Sequence, residues 1–128
     1  MKLLLDTHLL LWAAEGSKRM SARARALIEN GDNILAFSVA SLWEIAIKNG
    51  LKRPSFEVNV RALRRGLIDS GFQELPILSE HAVAIDDLPP IHKDPFDRIL
   101  ISQARVEGIT LLTNDRIIGK YGRPVRMV

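Results

Sequence analysis

Two short, mainly apolar runs constrain the fold of this chain most strongly: residues 2–5 near the start and residues 109–112 near the end. Apolar runs of this length without polar alternation are typical of strands that are covered on both faces, as in a parallel sheet. The chain has 128 residues, 47% of them hydrophobic, and no low-complexity tract or linker divides it. We therefore expect one folded domain over residues 1–128.

Strand and helix signals alternate along the whole chain. The predicted strands are residues 2–5, 33–37, 72–77, 109–112 and 125–127. The predicted helices are residues 8–14, 22–29, 42–48, 58–70, 79–87, 95–107 and 114–119, with Ser21, Ser41 and Asp94 as N-caps of the second, third and sixth. Alternation of this kind predicts an α/β fold: a mainly parallel central sheet of four to five strands, flanked by helices.

Composition excludes several classes of protein. The absence of Cys excludes disulfide scaffolds, zinc knuckles and thiol catalysis, and it indicates a reducing compartment. With three His residues, a metal site built from histidines is not expected. Asp6 and His8 interrupt the apolar N-terminal stretch, which is too short to span a membrane. We expect a cytoplasmic protein with no membrane contact, whose net charge of +3 slightly favours anionic partners.

Two acidic residues follow predicted buried strands. Asp6 comes directly after the first strand, and Asp115 follows residues 109–112 after two intervening residues. Ligands of open parallel sheets bind outside the carboxyl ends of the strands, so both side chains are expected at one crevice. Each Asp alone also fits a turn residue or a helix cap.

Two further acids lie at predicted helix starts. Glu44 is three residues after Ser41, and Asp97 is three residues after Asp94, which is the third helical position in both cases. A capping box and the helix dipole explain either acid taken singly. They do not explain why all four acids fall at strand ends and helix starts.

Four segments that carry these acids resemble the acidic motifs of PIN-domain nucleases, and especially of VapC-type toxins of bacterial toxin–antitoxin pairs. The segments are residues 3–7 (LLLDT), 38–45 (SVASLWEI), 92–98 (HKDPFDR) followed by Gln103-Ala104, and 111–115 (LLTND). They cover nearly the whole chain in the family's order, and the SLWE and HKDPFDR strings are the specific ones. Ser102 departs from the Ala that is usual before Gln-Ala. The resemblance implies a PIN-like fold and makes Asp97, not Asp94, the catalytic acid.

The resemblance implies a metal-dependent endoribonuclease with Asp6, Glu44, Asp97 and Asp115 as catalytic and metal-binding residues. We assign Asp6 and Asp97 as direct ligands of Mg²⁺, with Mn²⁺ as the alternative ion, and Glu44 and Asp115 as holders of metal-bound water or of a second ion. Carboxylates facing one crevice repel one another without a cation, and hard divalent cations take oxygen ligands. The implied partners are an RNA substrate, a VapB-like antitoxin protein and a second copy of the chain.

Other residues near these motifs have weaker assignments. Thr7, Ser38 and Thr113 are candidate hydroxyls beside the acids. Lys93, Arg98 and Arg116 either contact phosphates or pair with neighbouring acids. His92 is expected to support loop structure, and Trp12 and Trp43 are expected in the core or in an interface.

Three other functions compete with nuclease activity. A phosphatase of the haloacid-dehalogenase kind also starts with a strand that ends in Asp, but it needs an acid two residues later, where this chain has His8. A receiver domain needs a Lys after a late strand, where this chain has Thr113-Asn114-Asp115. A PIN-like RNA- or metal-binding module without catalytic activity remains the alternative, although all four acidic positions are occupied.

Overall fold

The computed structural model describes residues 1–128 and contains five strands and seven helices. The strands are β1 (Lys2–Leu5), β2 (Ile34–Ser38), β3 (Gln73–Leu75), β4 (Thr110–Thr113) and β5 (Val125–Met127). The helices are α1 (Thr7–Glu15), α2 (Ala22–Glu29), α3 (Val39–Gly50), α4 (Val60–Asp69), α5 (Ser79–Ala84), α6 (Pro95–Glu107) and α7 (Arg116–Gly119). A short 3-10 helix, Ile85–Asp87, follows α5.

All five strands are parallel and lie in the order β3-β2-β1-β4-β5, which confirms the predicted parallel sheet. The central strand β1 pairs with β2 on one side and with β4 on the other, so Leu4 lies between Ala36 and Leu111. The chain order reverses at β1. In sheets of this type the crevice beside such a reversal, at the carboxyl ends of the strands, is the usual ligand site.

Alternate residues of the central strands pack on opposite faces of the sheet. Leu4, Ala36 and Leu111 belong to a buried cluster that includes residues 99–101 and 104 of α6. Leu3 and Leu5 point to the other face, where they join residues of α1, α2 and α4. Because both faces are covered, successive residues of both strands are apolar (Leu3 to Leu5 in β1, Leu111 and Leu112 in β4), which is the pattern that predicted them.

The start of α3 differs from the prediction. The helix begins at Val39 and is capped by Ser38, whose hydroxyl accepts a hydrogen bond from the Ala40 amide at 3.0 Å. The prediction that Ser41 caps this helix is wrong, because the chain passes from β2 into α3 without a loop. Glu44 therefore lies in the second turn of the helix and is not a capping-box acid.

Two apolar side chains are more exposed than the sequence indicates. Trp43 is 57% exposed and packs edge-on against Phe96, with 5.0 Å between ring centroids, so it is not a core residue. Ile68 of α4 is 41% exposed, whereas Leu67 beside it is buried. As for membranes, none of the helices has the length and apolar character that crossing one requires.

Candidate active site

Asp6 lies at the carboxyl end of β1 and is almost completely buried. Its Oδ1 accepts a hydrogen bond from the Leu9 amide at 2.9 Å, which caps α1, and its Oδ2 accepts one from the Thr113 hydroxyl. Burial raises the pKa of Asp6 above its ordinary value, and the charge of Asp115 adds to the rise. The hydrogen bonds from Thr113 and Leu9 lower the pKa and only partly offset burial.

Asp115 lies just beyond the end of β4, the strand next to β1. It is the N-cap of α7, because its Oδ1 accepts a hydrogen bond from the Ile117 amide at 2.8 Å. The Asp115 amide donates to the Thr113 hydroxyl oxygen at 3.0 Å. Thr113 therefore connects Asp6 with Asp115, so the ends of the two central strands are joined through one buried hydroxyl.

Asp94 and Asp97 take different positions at the start of α6. Asp94 is the N-cap, since its Oδ1 accepts hydrogen bonds from the amides of Phe96 at 2.8 Å and Asp97 at 3.2 Å. Pro95 occupies the first helical position, where the absence of an amide hydrogen costs nothing. The predicted cap is confirmed, and Asp97 is the third residue of the helix, as predicted.

The pKa of the Asp97 carboxyl group is also raised above its ordinary value. Burial raises its pKa to about 7, and the negative charges of Asp94, Glu44 and Asp6 contribute to the rise, while His92 lowers it. Carboxylates from the end of β1, from α3 and from the start of α6 thus act on one another across the crevice. Repulsion of this kind favours protonation of one acid or binding of a cation.

Glu44 is buried and is held by contacts from two helices. The Thr7 hydroxyl donates to Glu44 Oε1 at 2.9 Å and lies 2.9 Å from the Ser41 hydroxyl. Lys48, one turn later on α3, places its Nζ 2.9 Å from Glu44 Oε2. Sequence reasoning predicted Thr7 at the site and missed Lys48, although a Glu–Lys pair four residues apart on a helix is a recognisable signal.

His92 is closer to the acids than the sequence indicates. Its Nδ1 accepts from the Asp94 amide at 3.3 Å, which is the loop-supporting contact that was expected. Its Nε2, however, lies 2.8 Å from Asp97 Oδ2 but out of line for a hydrogen bond, and this buried nitrogen has no other partner. The HKDPFDR motif contains His92, so its spacing from Asp97 was the signal available in the sequence.

Comparison with known proteins identifies the family. A model of the PIN domain family matches residues 3–124. The chain belongs to the PIN domain family. No curated protein matches the chain in a search by similarity.

Solved structures of other PIN domains share this fold at low sequence identity. The DNA-bound VapBC from Salmonella typhimurium superposes with a TM-score of 0.70 at 18% identity and covers 100% of this chain and 97% of that chain. VapBC2 from Rickettsia felis, bound to a DNA fragment from its promoter, superposes with a TM-score of 0.67 at 18% identity and covers 100% of this chain and 98% of that chain. VapC20 from Mycobacterium tuberculosis, a Sarcin-Ricin loop cleaving toxin, superposes with a TM-score of 0.62 at 19% identity and covers 94% of this chain and 95% of that chain. At these identities the likeness confirms the fold.

The four candidate acids of this PIN domain do not all lie equally close to one another. Ligand atoms of His92, Asp97 and Asp115 all lie within 4.8 Å of one another, a spacing that suits one metal ion. Asp6 and Glu44 are outside this group, although their charges act on Asp97. The donors are mainly carboxylate oxygens, which suit Mg²⁺ or Mn²⁺, and one imidazole nitrogen that the sequence did not predict as part of the site.

The basic residues of the PIN domain motifs have different surroundings. The Arg98 guanidinium donates to the carbonyl oxygens of Ile85, Pro89 and His92 and to the Tyr121 hydroxyl. Arg98 therefore holds the loop before α6 through Nη1 and Nη2, and it forms no ion pair with a neighbouring acid. Lys93 and Arg116 are exposed, and neither side chain forms an ion pair.

Ser38 also has a structural role that the sequence did not specify. Besides capping α3, its hydroxyl donates to Gln103 Oε1 of α6 at 2.6 Å, and both side chains are fully buried. The Gln103 Nε2 donates in turn to the Pro76 carbonyl at 3.2 Å. Of the three hydroxyls expected beside the acids, Thr7 and Thr113 contact them and Ser38 contacts Gln103.

Proposed function

We propose that this PIN domain is a metal-dependent endoribonuclease and the toxin of a type II, VapBC-like toxin–antitoxin pair. The observation that carries the proposal is the gathering of carboxylates at the carboxyl edge of the sheet. Burial raises the pKa of Asp97 there to about 7, and the charges of Asp94, Glu44 and Asp6 add to the rise. The neighbours named VapBC and the Sarcin-Ricin loop cleaving toxin VapC20 support the activity.

In this proposal Asp6, Glu44, Asp97 and Asp115 are the catalytic residues and hold Mg²⁺ or Mn²⁺. When bound, the cation neutralises charge on the phosphate and lowers the pKa of a nucleophilic water. The chain's own contribution is to fix the carboxylates. Backbone amides donate hydrogen bonds to Asp6 and Asp115, and the Thr7 hydroxyl and Lys48 orient Glu44. Because these carboxylates are already held, ordering them costs little when substrate binds.

The proposed partners follow from the same family. The solved VapBC neighbours are complexes, which supports a VapB-like antitoxin as partner of this chain. We also propose RNA as substrate, the cytoplasm as location, and a homodimer. Trp43 and Ile47, exposed by 57% and 44% on one helix, support a dimer interface on α3.

The activity is tested by incubating purified protein with total cellular RNA and mapping the cleavage sites. We expect cleavage that requires Mg²⁺ or Mn²⁺ and stops with EDTA. Asp97→Asn keeps the size of the side chain and removes its charge, so cleavage should fall by at least about 100-fold. The matched control is Asp69→Asn, the same change at an exposed position on α4, which should cleave like wild type.

Two outcomes would contradict the proposal. Full cleavage by folded Asp97→Asn protein would return Asp97 to a helix-start role. Binding of RNA or Mg²⁺ without any cleavage under these conditions would favour the alternative function, a PIN-like binding module without catalytic activity.

A further inference from the structure

A separate pocket of about 290 Å³ opens beside the acids, between α1, the end of α3 and the loop after α3. Lys48 lines this pocket, and its Nζ is 2.9 Å from Glu44 Oε2. His8, two residues after Asp6, lines it as well. A chain that lies across the acids and enters the pocket therefore passes Lys48.

The pocket is lined by more cations than anions. Its basic residues are Arg19, Lys48 and Arg53, and its one acidic residue is Glu15. The guanidinium groups of Arg19 and Arg53 make no hydrogen bond or ion pair with the rest of the chain, unlike Arg98, whose Nη1 and Nη2 donate to four oxygens. Both groups are exposed and have free donors for a phosphate.

Aromatic side chains form the other part of the pocket. Trp12 and Phe56 are half-buried and line it together with His8, whose ring centroid is 6.3 Å from that of Trp12 at a tilt of 44°. Aromatic faces next to unpaired cations are the pattern by which proteins bind single-stranded nucleic acid, since bases stack and phosphates pair. An acidic peptide would use the cations and leave the aromatic faces without a function.

We propose that this pocket binds one nucleotide of an RNA strand that flanks the phosphate at the acids. Its base stacks on Trp12, and its phosphate pairs with Arg53 and Arg19. The volume is at the lower end of the range for small-ligand sites, which limits the occupant to about one nucleotide. The inference rests on the proposed function for the reaction, but RNA binding to the pocket can be measured without cleavage.

The test uses Asp97→Asn protein in EDTA, so that no RNA is cut. Binding of a fluorescein-labelled uridine decamer RNA is followed by anisotropy at several salt concentrations. Adding Arg53→Ala should weaken binding by at least about threefold and lower the salt slope by about 0.7, the value for one lost phosphate contact on a single strand. The matched control is Arg105→Ala, which removes the same charge from an exposed site in the last turn of α6 and should leave both quantities unchanged.

Stacking is tested by fluorescence. The chain has two Trp residues, so Trp43→Phe, at an exposed site where the aromatic contact to Phe96 is kept, leaves Trp12 as the only emitter. We expect the decamer to quench Trp12 emission with the same midpoint as the anisotropy change. Arg53→Ala should move both midpoints together.

Three results would overturn the proposal: no binding of the decamer, equal affinities of the Arg53→Ala and Arg105→Ala proteins, or unchanged Trp12 emission at saturation. Binding of a glutamate decamer that depends on Arg53, without binding of RNA, would assign the pocket to an acidic protein partner and would also overturn it. Failure of the proposed function has a different signature, which is RNA binding by the wild type without Mg²⁺-dependent cleavage.

Discussion

At the scale of single residues, Asp97 has opposite effects on stability and on the proposed activity. Its pKa of about 7 means that the folded protein without metal holds a proton that the unfolded chain has already lost. Burial, which is the main cause, disfavours the charged form that a cation needs as ligand. A bound cation favours the charged form of Asp97 instead. The same acid that destabilises the folded protein without metal should therefore make metal binding stabilise the fold.

The pH dependence of stability follows from this pKa. The pKa of the Asp97 carboxyl is 3.8 in the unfolded chain and about 7 in the folded protein. The unfolded state therefore binds fewer protons than the folded state between these two pH values. Stability without metal should therefore contain a contribution that is fully present below about pH 4 and is lost as pH rises to about 7. We expect Asp97→Asn to reduce this loss in urea unfolding at pH 5 and pH 8 with EDTA, and Asp69→Asn to leave it unchanged. Equal losses in wild type and Asp97→Asn would contradict the assigned pKa.

Asp94 and Asp97 can be separated by substitution. Asp94→Ala should cost about 0.5–2 kcal/mol of stability, because two amides lose their capping acceptor. Asp94→Ser should recover much of this stability and should keep Mg²⁺-dependent cleavage, because a hydroxyl also caps helices. Asp97→Ser should not cleave. Melting temperature and cleavage measured on each variant provide the test, and a stable Asp94→Ser protein without activity would place Asp94 among the metal ligands.

At the scale of elements, the start of α3 was the least predictable from sequence. Ser38 and Ser41 are both good N-cap residues, and residues 39–40 between them are apolar enough to continue a strand. Only the sheet register decides between them: Ser38 pairs with Leu75 of β3 and can therefore end β2 and cap α3 at once. By contrast, the Asp94-Pro95 start of α6 is a local signal, and the sequence located it correctly.

A pair of substitutions checks this helix start. Ser38→Ala removes the cap and leaves the buried Gln103 Oε1 without its donor, so it should cost about 2 kcal/mol or more. Ser41→Ala removes one contact with Thr7 inside a helix, where Ala is favourable, and should cost less than about 1 kcal/mol. Chemical denaturation of both variants measures the difference. A larger loss from Ser41→Ala would restore Ser41 as the cap.

At the scale of the whole molecule, the order of the motifs along the chain favours one candidate site more strongly than any single motif does. The strands that precede Asp6 and Asp115 are apolar enough to be recognised, and the structure places them side by side in the sheet. Lys48, His92 and the pocket at Arg53 were not predicted, because their relation to the acids depends on helix packing and loop paths. Arg98 was expected to contact a phosphate or a neighbouring acid, because its place in the sequence does not show the four oxygens that it contacts.

The central claim is that Asp6, Glu44, Asp97 and Asp115 together hold divalent cations at this edge of the sheet, either directly or through metal-bound water. Its most direct test is calorimetric titration of Mn²⁺ into wild type and into Asp6→Asn, Glu44→Gln, Asp97→Asn and Asp115→Asn, each shown to be folded, with Asp69→Asn as control. We expect the four variants to bind Mn²⁺ about tenfold or more weakly than wild type, and the control to bind it equally. Wild-type affinity in folded Asp6→Asn and Asp97→Asn proteins would contradict a shared site at this edge of the sheet.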